Sequence, residues 1–280
     1  MNARNLEVGV CSWSLLVSSL PELESLLGRV GTGVVQLALG DPRHATWEEG
    51  DELFSRVREV SFAVSATMIG FPGEDYTTPG TIERTGGFGD PALRAERLDI
   101  FRWAVDRTVD VGVELLTTHG GFIPEPGDPG RTDFLDCLCE ALDYAEARGV
   151  TLALETGQES AELLRRTIDE LEAPNLKVNF DPANMILYGR EDPIHAVEIL
   201  GPDIAHVHVK DGRAPEKEGE WGEEVPLGDG EVGMRAYIEA LVVAGYTGPL
   251  IIEREVGTQE ERIRDVASGV ALLKRLAQEV

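Results

Sequence analysis

The chain has 280 residues, 42% of them hydrophobic and 27% charged, a composition typical of a folded globular protein with a sizeable core. Asp and Glu number 51 against 25 for Lys and Arg, which gives a formal net charge of -26. Because binding to a phosphate backbone draws on clustered Lys and Arg, this charge argues against a nucleic-acid partner and, more weakly, against a highly phosphorylated substrate.

The length suits a barrel of eight β/α units in one domain, and no linker-like tract divides the sequence, so we treat residues 1–280 as a single domain. The three cysteines, Cys11, Cys137 and Cys139, lack the spacing of a zinc or disulfide framework. The first residues lack the apolar core of a secretory signal, and no apolar run reaches the roughly 18 residues of a membrane span. The sequence predicts a cytoplasmic protein with no membrane partner, and is compatible with a homo-oligomer.

Eight short apolar or β-branched runs recur, each followed by a loop and a segment with helical spacing of its apolar positions. This alternation predicts parallel strands joined by helices, and eight such strands close an α/β fold of the (β/α)8 TIM barrel type. Two long helices are predicted over residues 91–110 and 133–148. The predicted strands are residues 7–12, 34–38, 62–68, 114–118, 151–155, 177–180, 204–209 and 249–253.

Two connections, residues 70–90 and 212–231, are longer than a minimal barrel needs. Both are rich in glycine and acidic residues and contain an aromatic residue, Trp221 in the second. Long loops on the carboxyl-terminal face of a barrel often serve as lids, and the alternative is an unstructured excursion without a role. His44, after the second strand, is expected near the same barrel mouth.

Four residues with metal-binding side chains stand at the ends of strands five to eight: Glu155, Asp181, His208 and Glu253. Neighbouring strands lie about 5 Å apart, so these side chains can converge on one ion. Three carboxylates buried together without a cation would repel one another and lose their hydration, and a divalent cation removes both costs. The alternative is a salt-bridge network that uses Lys210, Arg213 and Arg254.

One imidazole and three carboxylates form a hard, oxygen-rich ligand set. Such a set favours manganese, with magnesium, cobalt and zinc as further candidates, and differs from a thiolate zinc site. The sequence therefore predicts one divalent metal ion as the cofactor.

The strand-end segments LALET, VNFDPANM, HVHVKD and LIIERE resemble those of the xylose isomerase-like barrel superfamily, which includes sugar phosphate isomerases and epimerases, and the resemblance covers nearly the whole chain. It implies that Glu155, Asp181, His208 and Glu253 hold one divalent ion and that Glu155 and Glu253 are the catalytic acid/base pair. The implied activity is that of a sugar isomerase or epimerase, which acts on a small carbohydrate through an ene-diolate next to a metal-chelated carbonyl.

The resemblance leaves two alternatives open. A lyase or dehydratase on an inosose or keto-glycoside would use the same metal site, whereas a non-catalytic carbohydrate-binding barrel would be expected to lose the ligands. The superfamily also contains the DNA-repair enzyme endonuclease IV, which adds further His and Asp ligands for a three-zinc cluster. Those are mostly missing here, since Asn184 stands in place of a His and Thr67-Met68 end the third strand.

Five further residues are candidates for substrate binding: Trp13, His119, Asn184, Lys210 and Arg213. Trp13 can stack on a sugar ring or cap the core, and His119 can contact a hydroxyl, act as an acid or be structural. Asn184 can bind a hydroxyl or belong to a bare turn or helix cap. Lys210 and Arg213 can bind hydroxyls, a carboxylate or a phosphate, and Lys210 alternatively pairs with Asp211 or a ligand carboxylate.

Overall fold

The strands of the molecule form one closed parallel barrel. The computed structural model describes residues 6–40, 47–157, 159–189, 191–217 and 219–280. The eight barrel strands follow the order β1-β10-β7-β6-β5-β4-β3-β2, and each pairs in parallel with its neighbours. Their bounds are β1 Val8–Cys11, β2 Val34–Ala38, β3 Ala63–Ile69, β4 Leu115–Thr118, β5 Thr151–Glu155, β6 Leu176–Phe180, β7 Ile204–Val209 and β10 Leu250–Ile252. The predicted (β/α)8 barrel is confirmed, with each strand end within a few residues of its predicted place.

Helices follow the barrel strands and cover the outside of the barrel. In the helix Ala161–Leu171, for example, Leu163, Leu164, Thr167 and Ile168 are buried at helical spacing, and the Ser160 hydroxyl accepts from the Leu163 amide at 3.2 Å to begin the helix. The helices are α1 Leu20–Val30, α2 Leu53–Arg56, α3 Pro79–Thr85, α4 Arg94–Val111, α5 Arg131–Glu146, α6 Ala161–Leu171, α7 Pro182–Leu187, α8 Pro193–Leu200, α9 Met234–Ala244 and α10 Gln259–Leu276. None of the described helices is both long enough and apolar enough to cross a membrane.

The barrel interior contains a hydrogen-bonded polar layer. Gln36 of β2 donates to the Thr117 hydroxyl of β4 at 2.8 Å, and Asn179 of β6 lies 2.9 Å from Nδ1 of His206 of β7. All four side chains are essentially inaccessible to solvent. Because buried polar groups are costly unless they are paired, this network fixes the side-chain orientations directly below the carboxyl ends of the strands.

Both long connections contain secondary structure of their own. Helix α3 lies in the first, and an antiparallel hairpin of β8 Asp211–Arg213 and β9 Glu223–Val225 occupies the second. The two connections meet at the barrel mouth, where the Trp221 indole N–H donates to the Tyr76 carbonyl at 3.1 Å.

The buried carboxylate of Asp211 organises the chain that follows the hairpin. It accepts hydrogen bonds from the backbone amides of Gly228 at 2.9 Å, Gly230 at 3.1 Å and Val232 at 3.2 Å. A Cβ on Gly230 would lie 2.1 Å from Asp211 Oδ1, so the close approach of backbone and carboxylate requires glycine there. Asp211 thereby holds residues 228–232 next to the end of β7.

We expect Asp211→Asn to destabilise the protein by about 2 to 4 kcal/mol. In the wild type the backbone N–H groups donate to an anionic carboxylate, whereas the asparagine amide would place its own N–H donors against some of them. Urea titration of both proteins measures the loss. Asp229→Asn is the matched control in the same connection, since Asp229 contributes its backbone carbonyl to Arg213. Equal stability of the two variants would contradict the anchoring role of Asp211.

Candidate active site

The four strand-end residues converge at the carboxyl-terminal end of the barrel. Glu155 ends β5, Asp181 follows β6 and caps α7, His208 lies near the end of β7, and Glu253 follows β10. All four are buried, and their ligand-capable atoms lie within 4.8 Å of one another. The structure thus brings together the residues that the sequence places at four successive strand ends.

The imidazole of His208 is at the centre of the cluster. Its Nδ1 atom lies 3.4 Å from Glu155 Oε1, 3.6 Å from Asp181 Oδ2 and 3.4 Å from Glu253 Oε2. Three of the cluster's buried atoms have no hydrogen-bond partner: His208 Nδ1, Asp181 Oδ2 and Glu155 Oε2. Unpaired buried polar atoms of this kind are rare and need an explanation, and a cation held between them supplies one.

The carboxylate of Asp181 divides its two oxygens between two tasks. Oδ1 accepts from the backbone amides of Ala183 at 2.8 Å and Asn184 at 3.1 Å, which fixes the first turn of α7. Oδ2 faces the cluster without a hydrogen bond. The helix cap therefore holds the side chain in an orientation that points its second oxygen into the cluster.

A salt-bridge network does not account for these unpaired atoms. Among the cationic side chains proposed for it, Lys210 contacts Glu253, with Nζ 3.0 Å from Oε2. Arg254 pairs instead with Glu224 and Asp265, away from the cluster. The donor set of one imidazole nitrogen and several carboxylate oxygens fits a hard divalent ion such as manganese or magnesium.

Charge balance in the cluster points in the same direction. Burial alone would lower the pKa of His208, yet Glu253, Cys11 and Glu155 outweigh it and hold this pKa well above its usual value. Burial raises the pKa of Asp181, and the net shift is upward despite the neighbouring His208 and Lys210. The surplus of buried negative charge therefore draws a proton onto the imidazole, and a divalent cation would satisfy the same surplus.

Gln36 is a site residue that the sequence reasoning missed. Its carbonyl Oε1 lies 2.7 Å from His208 Nε2, closer than the Asn179 amide at 3.2 Å, so Nε2 donates to Gln36 and Nδ1 is the nitrogen that faces the cluster. Two hydrogen bonds orient the Gln36 amide. Its Nε2 donates to the Thr117 hydroxyl, and its Oε1 accepts from the Cys11 thiol at 3.4 Å. The available signal was one polar residue inside the otherwise apolar strand VVQLA.

Glu253 is held at both oxygens. The Trp13 indole donates to Oε1 at 2.7 Å, and Lys210 Nζ donates to Oε2 at 3.0 Å. Burial raises the pKa of Glu253, but the nearby Lys210 and His208 outweigh it and keep this pKa well below its usual value. Glu253 is therefore an ionised, rigidly oriented carboxylate.

Glu155 is held less completely. The Asn184 amide donates to Oε1 at 2.9 Å, while His119 Nε2 lies 3.6 Å from Oε2. Burial raises the pKa of Glu155, but His119 and His208 lower it, and the net shift is downward. Burial opposes protonation of His119, but Glu155 and Glu74 raise its pKa above the usual value.

A cavity of about 970 Å³ opens above the cluster. It is lined by four of the five predicted substrate-binding residues, namely Trp13, His119, Asn184 and Lys210. Glu155 and Glu253 also line the cavity, whereas Asp181 and His208 are not part of its wall. Aromatic side chains form part of the rim, where the rings of Tyr188 and Trp221 meet edge to face at 4.7 Å between centroids.

The structure does not bring Arg213 to the cavity. Its side chain pairs with Glu223 at 3.1 Å and donates to the Asp229 carbonyl at 3.0 Å, and half of it is exposed. The reason is the hairpin, in which Arg213 and Glu223 are directly opposed cross-strand partners. The expected substrate contact from Arg213 is therefore not supported by its position. His44 lies outside the described residues.

Comparison with known proteins gives relatives that share this architecture. The family model described as xylose isomerase-like TIM barrel matches residues 26–276. An L-ribulose-5-phosphate 3-epimerase, UlaE of Salmonella typhi, is 30% identical over 190 residues, which are 65% of this chain and 64% of that protein's length. The curated relative is thus matched over somewhat less than two thirds of its own length.

Solved structures agree with this fold over the full chain. A xylose isomerase domain protein from Planctomyces limnophilus is 33% identical, with a TM-score of 0.87 over 99% of this chain and 98% of that one. A xylose isomerase-like TIM barrel protein from Mycobacterium smegmatis, crystallised in complex with magnesium, is 14% identical, with a TM-score of 0.68 over 100% of this chain and 99% of that one, and supports the fold alone. The chain belongs to the xylose isomerase-like TIM barrel family.

Proposed function

We propose that the protein is a divalent-metal-dependent sugar isomerase or epimerase that acts on a small carbohydrate. The observation that carries the proposal is that two of the four cluster residues also line the cavity. Glu155 and Glu253 belong both to the ligand cluster and to the cavity wall, whereas Asp181 and His208 belong to the cluster alone. Two carboxylates can therefore contact an ion and a substrate, as an acid/base pair must.

Glu155, Asp181, His208 and Glu253 would hold the ion, because their ligand-capable atoms converge and three of these buried atoms make no hydrogen bond. Manganese is our first choice from the donor set, and magnesium, cobalt and zinc are compatible with it. A divalent ion held by these residues would supply Lewis-acid chemistry, because it would polarise a substrate carbonyl and lower the cost of removing the adjacent C–H proton.

The protein's own side chains then determine the outcome. If one glutamate removes the proton and the other returns one to the opposite face, the carbon is inverted. If a single carboxylate moves the proton to the neighbouring carbon, an aldose and a ketose interconvert. Trp13 and Lys210 orient Glu253, and Asn184 orients Glu155, so both carboxylates are fixed before substrate enters.

The name of the curated relative favours epimerisation among these outcomes. That protein is called an L-ribulose-5-phosphate 3-epimerase, and the aligned 190 residues are 65% of this chain. L-ribulose and its 5-phosphate are therefore the first compounds to test.

A lyase is the second candidate, because the His119 imidazole lies 3.6 Å from Glu155 and also lines the cavity. An acid at this position can protonate a departing hydroxyl after Glu155 removes the proton. Mass spectrometry of the products separates the two functions, since loss of water changes the mass and epimerisation does not. The complete ligand cluster argues against a barrel that only binds carbohydrate.

We expect about one divalent ion per chain, since the four ligands form a single shell. Elemental analysis measures the stoichiometry, and manganese at about 100 times its Kd should stabilise the protein by about 2.7 kcal/mol. Asp181→Asn should lose most of this stabilisation while keeping the cap of α7. Asp192→Asn is the matched control, because Asp192 caps α8 in the same way outside the cluster. Two or three tightly bound ions per chain would refute the single site.

We expect Glu155→Gln and Glu253→Gln each to reduce deuterium exchange at the substrate carbon by about 10² to 10⁴, because an amide keeps a ligand oxygen but cannot accept the proton. Nuclear magnetic resonance of the ketose in heavy water measures the exchange. Metal content is determined for each variant, and Glu172→Gln, at the opposite end of the barrel, is the control for loss of one carboxylate. Near wild-type exchange by both metal-loaded variants would refute the two-glutamate mechanism.

We expect Gln36→Leu to weaken metal binding by about 10- to 100-fold, because the proton on His208 Nε2 loses its acceptor and Nδ1 is no longer reserved for the ion. Competition with a chelator measures the affinity, and the visible spectrum of the cobalt-loaded protein reports the ligand geometry. Gln278→Leu, on the exposed surface, is the control. An unchanged affinity and spectrum, with only a lower stability, would assign Gln36 a purely structural role.

A further inference from the structure

The cavity wall contains an excess of carboxylates. Among the described residues that line it, the acidic ones outnumber the basic ones, and no arginine is present. The only ammonium among them, Lys210 Nζ, lies 3.0 Å from Glu253, 2.5 Å from Glu255 and 3.9 Å from Glu224. The lining carboxylates are Glu74, Glu155, Glu224, Glu253 and Glu255.

The positive charges at the site are already matched by these carboxylates. A phosphate that approached Lys210 would have to displace the buried carboxylate of Glu253 or the half-exposed carboxylate of Glu255. Loss of its partner would be costly for Glu253, because that carboxylate would remain buried and unpaired. A divalent ion in the cluster would carry two charges against the three carboxylates of Glu155, Asp181 and Glu253, so it would not reverse the sign. Among the described residues that line the cavity, the one ammonium group is therefore already paired with carboxylates.

Backbone amides are the other common phosphate ligands, and several of those in the described loops after β7 and β10 donate to carboxylates. In TIM barrels a phosphate commonly binds at the loops after the seventh and eighth strands and at a nearby helix start. After β7, the amides of Gly228, Gly230 and Val232 donate to Asp211. After β10, the last barrel strand, the amide of Glu255 donates to Glu224 at 2.9 Å.

Carboxylates also accept hydrogen bonds from backbone amides in two further loops. Helix α10 begins with a capping box in which Glu261 accepts from the Thr258 amide at 2.8 Å. In the loop after β3, Glu74 accepts from the amides of Phe71 at 3.1 Å and Gly87 at 2.8 Å. The chain's own carboxylates thus fill the positions in which a phosphate would be bound by these backbone donors.

We infer that the site takes an uncharged, unphosphorylated carbohydrate and disfavours the corresponding sugar phosphate. This inference deepens the proposed function and rests on it. A neutral polyhydroxy ketone supplies hydroxyl donors to the carboxylate acceptors at the rim, such as Glu255. Its C–H faces can pack on the aromatic rings of Tyr76, Tyr188 and Trp221, which line the same cavity.

The test compares L-ribulose with L-ribulose 5-phosphate on the metal-loaded protein, by isothermal calorimetry and by turnover. We expect the phosphate ester to bind roughly 10-fold or more weakly than the parent ketose, because its dianion meets uncompensated carboxylates. Inorganic phosphate at millimolar concentration should not displace the ketose. Binding of the ester as tight as or tighter than that of the ketose would overturn the inference.

A substitution at the rim of the cavity tests whether the cavity carboxylates cause the preference for the ketose over the ester. Glu255→Gln removes one carboxylate next to Lys210, and we expect it to raise the affinity for the ester relative to the ketose by roughly 3-fold or more. Glu172→Gln makes the same change in net charge at the other end of the barrel and should leave this ratio unchanged. An equal change in both variants would show that overall charge, and not the cavity, controls selection, which would also overturn the inference.

Turnover distinguishes this inference from the proposed function. Faster conversion of the phosphate ester than of the free ketose would leave the isomerase or epimerase proposal intact and refute the selection of a neutral substrate. If neither compound exchanged deuterium, the proposed activity on these ketoses would fail, and the comparison of binding affinities would still decide the question of charge.

Discussion

The concentration of buried negative charge at one end of the barrel is the constraint on which the rest of the site depends. Glu155, Asp181 and Glu253 are withdrawn from water and placed around one imidazole. Such an arrangement is stable only if each carboxylate has a hydrogen-bond donor and the group as a whole has a compensating charge. The donors are supplied by Trp13, Lys210, Asn184 and the start of α7, and we propose that His208 and a divalent ion supply the compensating charge.

The polar layer below the site follows from the same constraint. A ligand imidazole must present one nitrogen as a lone pair, and that requires an acceptor at the other nitrogen. Gln36 supplies the acceptor from the far side of the barrel, and its own amide is fixed by Thr117. A barrel filled entirely with aliphatic side chains would pack equally well but could not orient His208. The interior therefore contains buried polar groups where apolar ones could pack, and these polar groups fix the direction in which His208 Nδ1 faces the cluster.

Sequence reasoning succeeded where the information was local and periodic. Strand runs that end in a polar residue are visible within five or six positions, so the barrel and the four strand-end residues could be identified directly. Gln36 was missed because its partner His208 is distant in sequence and faces it only after the barrel closes. Arg213 was placed in the site because it follows the HVHVKD segment, but a short hairpin, which that segment does not predict, pairs it with Glu223.

Part of the excess of acidic residues has a structural role, because these residues accept hydrogen bonds from backbone amides. Several carboxylates act as local backbone caps, since Glu49 accepts from the Leu20 amide, Asp128 from Glu125 and Glu191 from Ala161. An acidic side chain in this role satisfies a loop without any bound anion. Asp211 and Glu224 do the same in the loops after β7 and β10, where other barrels bind phosphate. The choice of substrate is then coupled to the stability of the loops. A backbone N–H group could bind phosphate only after a substitution had removed the carboxylate that accepts its hydrogen bond and stabilises the loop. For the neutral substrate that we infer, this coupling is a physical reason for the selection to be retained.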